Sequence, residues 1–225
     1  MTADDDRRFA SPPCMAADIA PEYFDQQQPN DVARWRRAER ARLHAARQAM
    51  RVEDRRAAGE ALAGHLRDLL AARFGEMRDR VVSAYWPING EPDLRPLMAD
   101  LHAAGATVAL PLVEVKRSPL VFRHWSPATR MVRGDWNIPV PPDTAAAVTP
   151  EITLAPLMGW DPAGYRLGYG GGYFDRTLAA LSPRSVTIGV GFQAARLDTI
   201  HPQPHDIALD FIVTEAGLQV DRDAP

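Results

Sequence analysis

The chain has 225 residues, of which 46% are hydrophobic and 24% charged, so it is long enough to bury the core of one α/β domain. Its formal net charge of −3 gives no general reason to expect nucleic acid or an anionic membrane as a partner. The single cysteine, Cys14, excludes an internal disulfide framework and a cysteine-based zinc cluster. The acidic start, Met1 to Arg8, is not typical of a secretory signal, and no apolar run approaches the roughly 20 residues of a membrane-spanning helix. We therefore expect a cytoplasmic protein.

The first half of the chain is predicted to begin with a tail and two helices. Residues 1–30 are rich in proline and glutamine, which predicts a mobile tail, and residues 31–225 are predicted to form a single domain. Asn30 and Asp31 are suitable N-cap residues, and the stretch from Val32 to Met50 lacks glycine and proline, so a helix is expected there. A second helix is indicated by apolar residues three and four positions apart, namely Ala58, Leu62, Leu66, Leu69 and Leu70.

The remainder alternates between predicted strands and helices. The run from Val81 to Trp86 predicts a buried strand, which is followed by a helix from Pro92 to Ala104 and a strand from Thr107 to Leu112. This order is typical of a βαβ unit with parallel strands and a right-handed crossover. Further strands are predicted at Leu120–Trp125, Ile152–Pro156, Val186–Gly191 and Phe211–Thr214, with a helix from about Gly172 to Leu181 and a connector from Pro139 to Pro150. The predicted fold is a three-layer α/β domain whose mostly parallel sheet is flanked by helices, with an N-terminal helical pair.

A glycine-rich segment, residues 164–176, lies between a predicted buried strand and a helix. Four glycines within five residues (Gly168, Gly170, Gly171 and Gly172) allow backbone N–H groups to approach an anionic ligand closely. In an open α/β sheet, ligands bind beyond the carboxyl ends of strands, where loops meet helix N-termini. No Gly-Lys-Ser/Thr follows, so this is not a Walker A loop, and the glycine spacing is wrong for a dinucleotide fingerprint. Glycine content alone leaves a flexible surface turn as an open alternative.

The same segment resembles the signature of the 5-formyltetrahydrofolate cyclo-ligases, also called methenyltetrahydrofolate synthetases. Three other segments resemble that family in the expected order: Pro87–Glu91, Trp136–Pro139 and Pro204–Glu215. Arg36 and Arg40 fall where the family has a Lys/Arg pair, so the resemblance spans roughly residues 34–217. The chain departs from the family at Tyr169, where many members have arginine, at Gly171, where some have lysine, and at Arg36, where lysine is usual.

The resemblance implies an activity and its ligands. Family members use ATP and Mg²⁺ to convert 5-formyltetrahydrofolate to 5,10-methenyltetrahydrofolate, releasing ADP and phosphate. The formyl oxygen is phosphorylated, N10 of the folate attacks the activated carbon, and phosphate leaves. Such a reaction requires positioning and charge neutralisation rather than a protein nucleophile. The implied partners are therefore small molecules, and we expect a monomer that binds neither nucleic acid nor membrane.

The resemblance also assigns roles to residues. Those implied to bind the nucleotide are Arg36, Arg40, Arg166, Leu167, Gly168, Tyr169, Gly170, Gly171, Gly172, Tyr173 and Phe174. Asp175 and Asp206 would bind Mg²⁺, and Arg166, Tyr173 and Asp175 would act in catalysis. Those implied to bind the folate are Trp86, Glu91, Trp136, Tyr169 and Tyr173, with Glu91 accepting hydrogen bonds from the polar edge of the pterin.

Each assignment has a structural alternative in the sequence itself. Glu91 precedes a predicted helix, and without the family resemblance a first-turn carboxylate explains it completely and is the favoured interpretation. Asp206 lies among prolines as a turn residue would, and Trp86 is typical of a core side chain. The arginines from Arg34 to Arg56 are interspersed with acidic residues, as on a solvated helix face. Two other functions stay open: a paralogue that binds a nucleotide or pterin without this turnover, and a nucleic-acid contact by the arginine-rich helices.

Overall fold

The computed structural model describes residues 28–222, and in them four helices flank one eight-stranded sheet. The helices are α1 (Gln28–Ala49), α2 (Val52–Phe74), α3 (Arg95–Ala103) and α4 (Tyr173–Ala180). The strands are β1 (Val81–Ser83), β2 (Thr107–Leu112), β3 (Val121–Trp125), β4 (Val132–Arg133), β5 (Pro139–Val140), β6 (Ala147–Val148), β7 (Ile152–Pro156), β8 (Gly159–Trp160), β9 (Arg166–Leu167), β10 (Val186–Val190), β11 (Phe211–Thr214) and β12 (Gly217–Asp221). This architecture confirms the predicted α/β class.

The central strands of the sheet are parallel and the edge strands are antiparallel. The order is β12-β11-β10-β7-β1-β2-β3-β6, with β11, β10, β7, β1 and β2 running in one direction. β3 pairs antiparallel with β2, β6 with β3, and β12 with β11. The five parallel strands therefore present their carboxyl ends along one edge, which is where an α/β sheet binds ligands.

The predicted boundaries needed several corrections. β1 ends at Ser83 rather than at Trp86, although Ala84 and Tyr85 remain buried. α1 begins at Gln28, so the last three residues of the predicted tail are helical; the rest of that tail lies outside the described residues. The predicted connector from Pro139 to Pro150 contains two short strands, β5 and β6, and β12 was not predicted at all. Strands this short exist because a neighbouring strand accepts and donates their backbone hydrogen bonds, which periodicity along the chain does not reveal.

The main core lies between the sheet and α2 and α3. From α2 it receives Leu62, Leu66 and Leu70, as the leucine spacing predicts, and from α3 it receives Leu97 and Met98. The sheet contributes apolar residues from each parallel strand, namely Val82, Val108, Leu154, Ile188 and Phe211. This packing fixes the sheet and, with it, the loops at its carboxyl edge. No helix among residues 28–222 is long and apolar enough to cross a membrane, and the cytoplasmic location stays a prediction.

We expect Leu66→Ala to lower the free energy of unfolding by about 2–5 kcal/mol, because the side chain is completely buried and its removal leaves a cavity. Urea denaturation followed by circular dichroism measures this change. Leu218→Ala, at an exposed position on β12, is the matched control and should change stability by less than about 0.5 kcal/mol. Equal effects of the two substitutions would contradict the assignment of the core.

Candidate active site

A cavity of about 860 Å³ opens at the carboxyl edge of the parallel strands. Tyr85 and Trp86 line it just after β1, Pro111 and Leu112 at the end of β2, and Pro156 at the end of β7. Helix α1, the loop before α4 and residues 203–207 form the other walls. A volume of this size lies in the upper part of the range for small-molecule sites.

Nearly all of the residues that the sequence predicted for the site line this one cavity. They are Arg36, Arg40, Trp86, Glu91, Trp136, Arg166, Gly168, Tyr169, Gly170, Gly171, Gly172, Tyr173, Phe174, Asp175 and Asp206. The exception is Leu167, whose side chain is buried in a small core with Leu43 and Met158. Any contact between Leu167 and a ligand would have to come from its backbone.

The glycine-rich loop connects β9 to α4 in a conformation that needs glycine. Gly172 has φ of 61° and immediately precedes the first residue of α4. At Gly168, a Cβ atom would lie 2.7 Å from Nη1 of Arg166, which is closer than real contacts allow. The loop therefore packs over the Arg166 guanidinium and is held by Arg40 at the Gly168 carbonyl, which favours a constrained loop over a flexible surface turn.

Arg166 and Asp175 form an ion pair beneath this loop. Nη2 of Arg166 donates to Oδ2 of Asp175 at 2.7 Å, and the guanidinium lies 5.1 Å from the centre of the Phe174 ring. Only 4% of the Arg166 side chain is exposed, against 16% of Asp175. The backbone N–H of Ile207 donates to the other oxygen of Asp175 at 3.4 Å. Asp175 thus links the start of α4 to the segment that carries Asp206.

Arg36 and Asp206 form a second buried pair on the same side of the cavity. Both guanidinium Nη atoms of Arg36 donate to the Asp206 carboxylate, and Nε and Nη2 also donate to the carbonyl oxygens of Ile200 and His201 at 3.0 and 2.9 Å. Asp206 accepts a further hydrogen bond from the Gln203 backbone N–H at 2.6 Å. Asp206 is therefore a turn residue, as one alternative had it, and it also faces the cavity. Most N–H groups of Arg36 are already used within the protein.

The two predicted Mg²⁺ ligands share one cavity but do not form a closed metal site. Among residues 28–222, no group of three or more histidine, cysteine, aspartate or glutamate side chains is arranged to hold a metal ion. Asp175 and Asp206 are each paired with an arginine. Mg²⁺ usually keeps several water ligands and is bound by one or two carboxylates together with phosphate oxygens. This donor set fits Mg²⁺ that arrives with a nucleotide.

Glu91 also lines the cavity and is connected to two other segments. Its Oε2 accepts the Ile88 backbone N–H at 2.9 Å, and its Oε1 accepts the Tyr169 hydroxyl at 2.8 Å. The Tyr169 oxygen in turn accepts a hydrogen bond from Nη2 of Arg47 at 2.6 Å. Helix α3 begins only at Arg95, so the interpretation of Glu91 as a first-turn helix carboxylate is wrong. Burial raises the pKa of Glu91, and the hydrogen bonds from Ile88 and Tyr169 oppose that rise.

Sequence reasoning missed Arg47, although α1 contains a signal for it. Arg36, Arg40 and Arg47 lie within about 40° of one another around the helix, because each residue advances the chain by roughly 100°. All three contact the site: Arg36 through Asp206, Arg40 by donating to the Gly168 carbonyl at 2.6 Å, and Arg47 through Tyr169. By contrast, Arg42 and Arg56 pair with acidic residues of their own helices, as expected for a solvated face.

The aromatic residues form the mouth and one wall of the cavity. Trp136 is 67% exposed, has φ of 54°, and meets the Tyr173 ring edge-on at 5.6 Å between centroids. Trp86 is half-buried, and the guanidinium of Arg95 lies 5.4 Å from its ring. Flat apolar faces of this kind suit a planar heterocycle, whereas the glycine loop and arginines suit phosphates.

Sequence comparisons match this chain to proteins of one family. The model of the 5-formyltetrahydrofolate cyclo-ligase family matches residues 32–215. A 5-formyltetrahydrofolate cyclo-ligase of Mycolicibacterium smegmatis is 32% identical over 163 residues, which is 69% of this chain and 80% of that protein. The protein of the same name from Escherichia coli is 29% identical over 143 residues, covering 61% of this chain and 79% of its own.

Solved structures give the same result. The 5,10-methenyltetrahydrofolate synthetase of Aquifex aeolicus superimposes with a TM-score of 0.70 at 27% identity, covering 84% of this chain and 94% of its own. The synthetase of Mycoplasma pneumoniae has the same fold, with a TM-score of 0.64 at 20% identity over 80% of this chain and 98% of its own. With the family model matched over most of its length, this chain belongs to the 5-formyltetrahydrofolate cyclo-ligase family.

Proposed function

We propose that this enzyme converts 5-formyltetrahydrofolate to 5,10-methenyltetrahydrofolate, consuming ATP in the presence of Mg²⁺ and releasing ADP and phosphate. The observation that carries the proposal is the cavity of about 860 Å³, which is lined both by the glycine loop and by Glu91 with several aromatic side chains. One ligand with phosphates and one with a flat polar heterocycle can therefore meet in a single enclosed space, as a phosphoryl transfer between them requires.

The nucleotide would bind between α1 and the glycine loop. The backbone N–H groups of residues 168–172 and the N-terminus of α4 favour anionic oxygens. Arg40 lies on the cavity wall and anchors the loop through the Gly168 carbonyl. Asp175 and Asp206 would hold Mg²⁺, which supplies positive charge to the phosphates. Arg36 contributes mainly by keeping Asp206 in place, because most of its own donors are occupied.

The folate would bind against Glu91 and the aromatic residues. Each Glu91 oxygen already accepts one hydrogen bond and keeps a lone pair free, so the carboxylate can accept two N–H groups from the edge of a pterin. Trp86, Trp136 and Tyr173 would cover the ring faces. For phosphoryl transfer to occur, the formyl group of a folate bound there would have to point towards the glycine loop.

The chemistry then needs no protein nucleophile. The formyl oxygen attacks the terminal phosphorus of ATP and ADP leaves. The N10 lone pair then attacks the activated carbon, and the carbon–oxygen bond breaks with phosphate as the leaving group, which takes up the proton lost from N10. Arg166, held beside Asp175, lies beneath the loop where negative charge accumulates. Tyr173, at the start of α4, closes the apolar side and excludes water, which would otherwise compete with N10.

The alternative is a paralogue that binds a nucleotide or pterin without this turnover. The departure from the family at Tyr169 favours it, since a loop cation common in the family is absent there. Mixing the purified protein with 5-formyltetrahydrofolate, ATP and Mg²⁺ distinguishes the two. We expect the near-ultraviolet absorbance of the methenyl product to rise in the complete mixture. It should not rise when ATP is omitted or when EDTA removes Mg²⁺. A flat trace from folded protein that binds ATP would favour the paralogue.

Asp175→Asn should lower kcat by at least about 100-fold, because a neutral amide neutralises neither Mg²⁺ nor Arg166. The same absorbance assay measures the rate, and thermal unfolding checks that the variant is folded. Asp198→Asn, at an exposed position, is the matched control and should leave kcat unchanged. An Asp175→Asn variant with the wild-type rate would exclude the proposed Mg²⁺ role.

Glu91→Gln should raise the KM for 5-formyltetrahydrofolate by about 10- to 100-fold, because hydrogen bonds to a charged partner contribute about 1.5–3 kcal/mol. The KM for ATP should change little, since Glu91 is proposed to contact the folate and not the nucleotide. Initial rates with each substrate varied in turn separate the two constants. The exposed Glu76→Gln is the control. If the KM for ATP increased instead, Glu91 would belong to the nucleotide subsite.

A further inference from the structure

We propose that Arg47 and Tyr169 are positioning residues for the folate subsite, forming a hydrogen-bonded relay that holds the Glu91 carboxylate ionised and directed into the cavity. This inference rests on the proposed function and deepens it. It assigns the Tyr169 hydroxyl to Glu91 rather than to the nucleotide, and it gives a role to a buried arginine that the sequence did not single out.

The first observation is the direction of the hydrogen bonds. Tyr169 has a single hydroxyl proton, and Oε1 of Glu91, at 2.8 Å, accepts it. The Tyr169 hydroxyl oxygen itself accepts a hydrogen bond from Nη2 of Arg47 at 2.6 Å, and the Arg47 guanidinium carbon lies 5.7 Å from the Tyr169 ring centre. A hydroxyl that accepts from a cation becomes a stronger donor, so Arg47 strengthens the bond from Tyr169 to Glu91.

The second observation is the burial of the two charged ends. Glu91 is 5% exposed and Arg47 is 5% exposed, whereas Tyr169 between them is 42% exposed. Arg47 donates to the Tyr169 oxygen and the Tyr169 hydroxyl donates to Glu91, so the tyrosine oxygen is a hydrogen-bonding link between the two charged groups. The ring of Tyr169 faces the cavity while its hydroxyl is committed to the relay.

The third observation concerns the protonation state of the buried Glu91 carboxylate. A buried carboxylate tends to take up a proton, and burial raises the pKa of Glu91. The hydrogen bonds from Ile88 and Tyr169 and the charge of Arg47 lower it again. The ionised form offers both oxygens as acceptors to the N–H groups of a pterin, whereas a protonated carboxyl replaces one of these acceptors with an O–H donor. The relay therefore keeps the subsite in its binding form.

The other groups near Glu91 do not replace the relay. Tyr85 donates its hydroxyl to the Pro92 carbonyl at 3.0 Å, and its pKa is raised by burial and by the Glu91 charge. Asp93 is paired with Arg95. The Arg55 guanidinium approaches Gly90, next to Glu91, but no hydrogen bond connects it to the carboxylate. Arg47 is thus the cation whose charge reaches the carboxylate through a hydrogen bond.

The experiment compares Tyr169→Phe, Arg47→Gln and Arg47→Lys with wild type. Removing the hydroxyl should raise the Glu91 pKa. As the pH is lowered, the loss of folate affinity that follows protonation of Glu91, which we call the acidic limb, should therefore begin at a higher pH than in wild type. We expect Tyr169→Phe to raise the Kd for 5-formyltetrahydrofolate about tenfold near neutral pH, with a larger increase at lower pH. The Kd for ATP should stay within about twofold. Arg47→Gln should act in the same direction, and Arg47→Lys, which retains the charge, should restore part of the loss.

Isothermal titration calorimetry across pH measures both constants without needing turnover, so this test is independent of whether wild type performs the proposed reaction. Tyr165→Phe removes a hydroxyl from a neighbouring residue outside the cavity, and Arg42→Gln removes an exposed charge from α1; both should leave the constants unchanged. Thermal unfolding checks that the buried Arg47 variants are folded. The proposal is overturned if Tyr169→Phe leaves the acidic limb in place, or if it weakens ATP binding rather than folate binding.

Discussion

The buried ion pair between Arg36 and Asp206 is the contact on which the geometry of the site depends. It fixes α1 against residues 200–206, which come from the far end of the chain. With α1 held there, Arg40 reaches the glycine loop and Arg47 reaches Tyr169. Burying two charges is costly unless they are paired and their other donors and acceptors are satisfied. Here they are, because the Ile200 and His201 carbonyls and the Gln203 N–H complete the set.

Helix α1 therefore does more than cover the sheet. One face carries apolar residues such as Ala33 and Leu43, and arginines are interspersed with them at positions that reach the cavity. Each arginine contacts a different segment: residues 200–206, the glycine loop, and Tyr169 with Glu91 beyond it. The phosphate side and the heterocycle side of the cavity are thus aligned by a single rigid element. This alignment suits a reaction that depends on positioning and charge rather than on a protein nucleophile.

Much of the fold was predictable because its patterns are local. The leucine spacing of α2, the apolar runs of β2, β7, β10 and β11, and the βαβ order each reflect periodicities that any buried face must have. β12, β5 and β6 were not predictable, since their hydrogen bonds depend on distant partners. Similarly, the sequence around Glu91 is explained locally by a residue at the start of a helix. The structure contradicts that explanation because α3 begins only at Arg95.

The sequence by itself determined the fold class and the glycine loop, because the strand patterns and the loop motif are each encoded in contiguous residues, and the family resemblance indicated most of the residues that gather around the cavity. Tertiary structure decided their partners: Asp175 with Arg166, Asp206 with Arg36, and Glu91 with Tyr169 and Arg47. These pairs join residues that are 9, 170 and 78 positions apart, and Arg47 lies 122 positions from Tyr169. An arginine in a helix looks the same in the sequence whether it faces water or a buried carboxylate. Its environment is set by the packing of the helix, which the chain acquires only on folding.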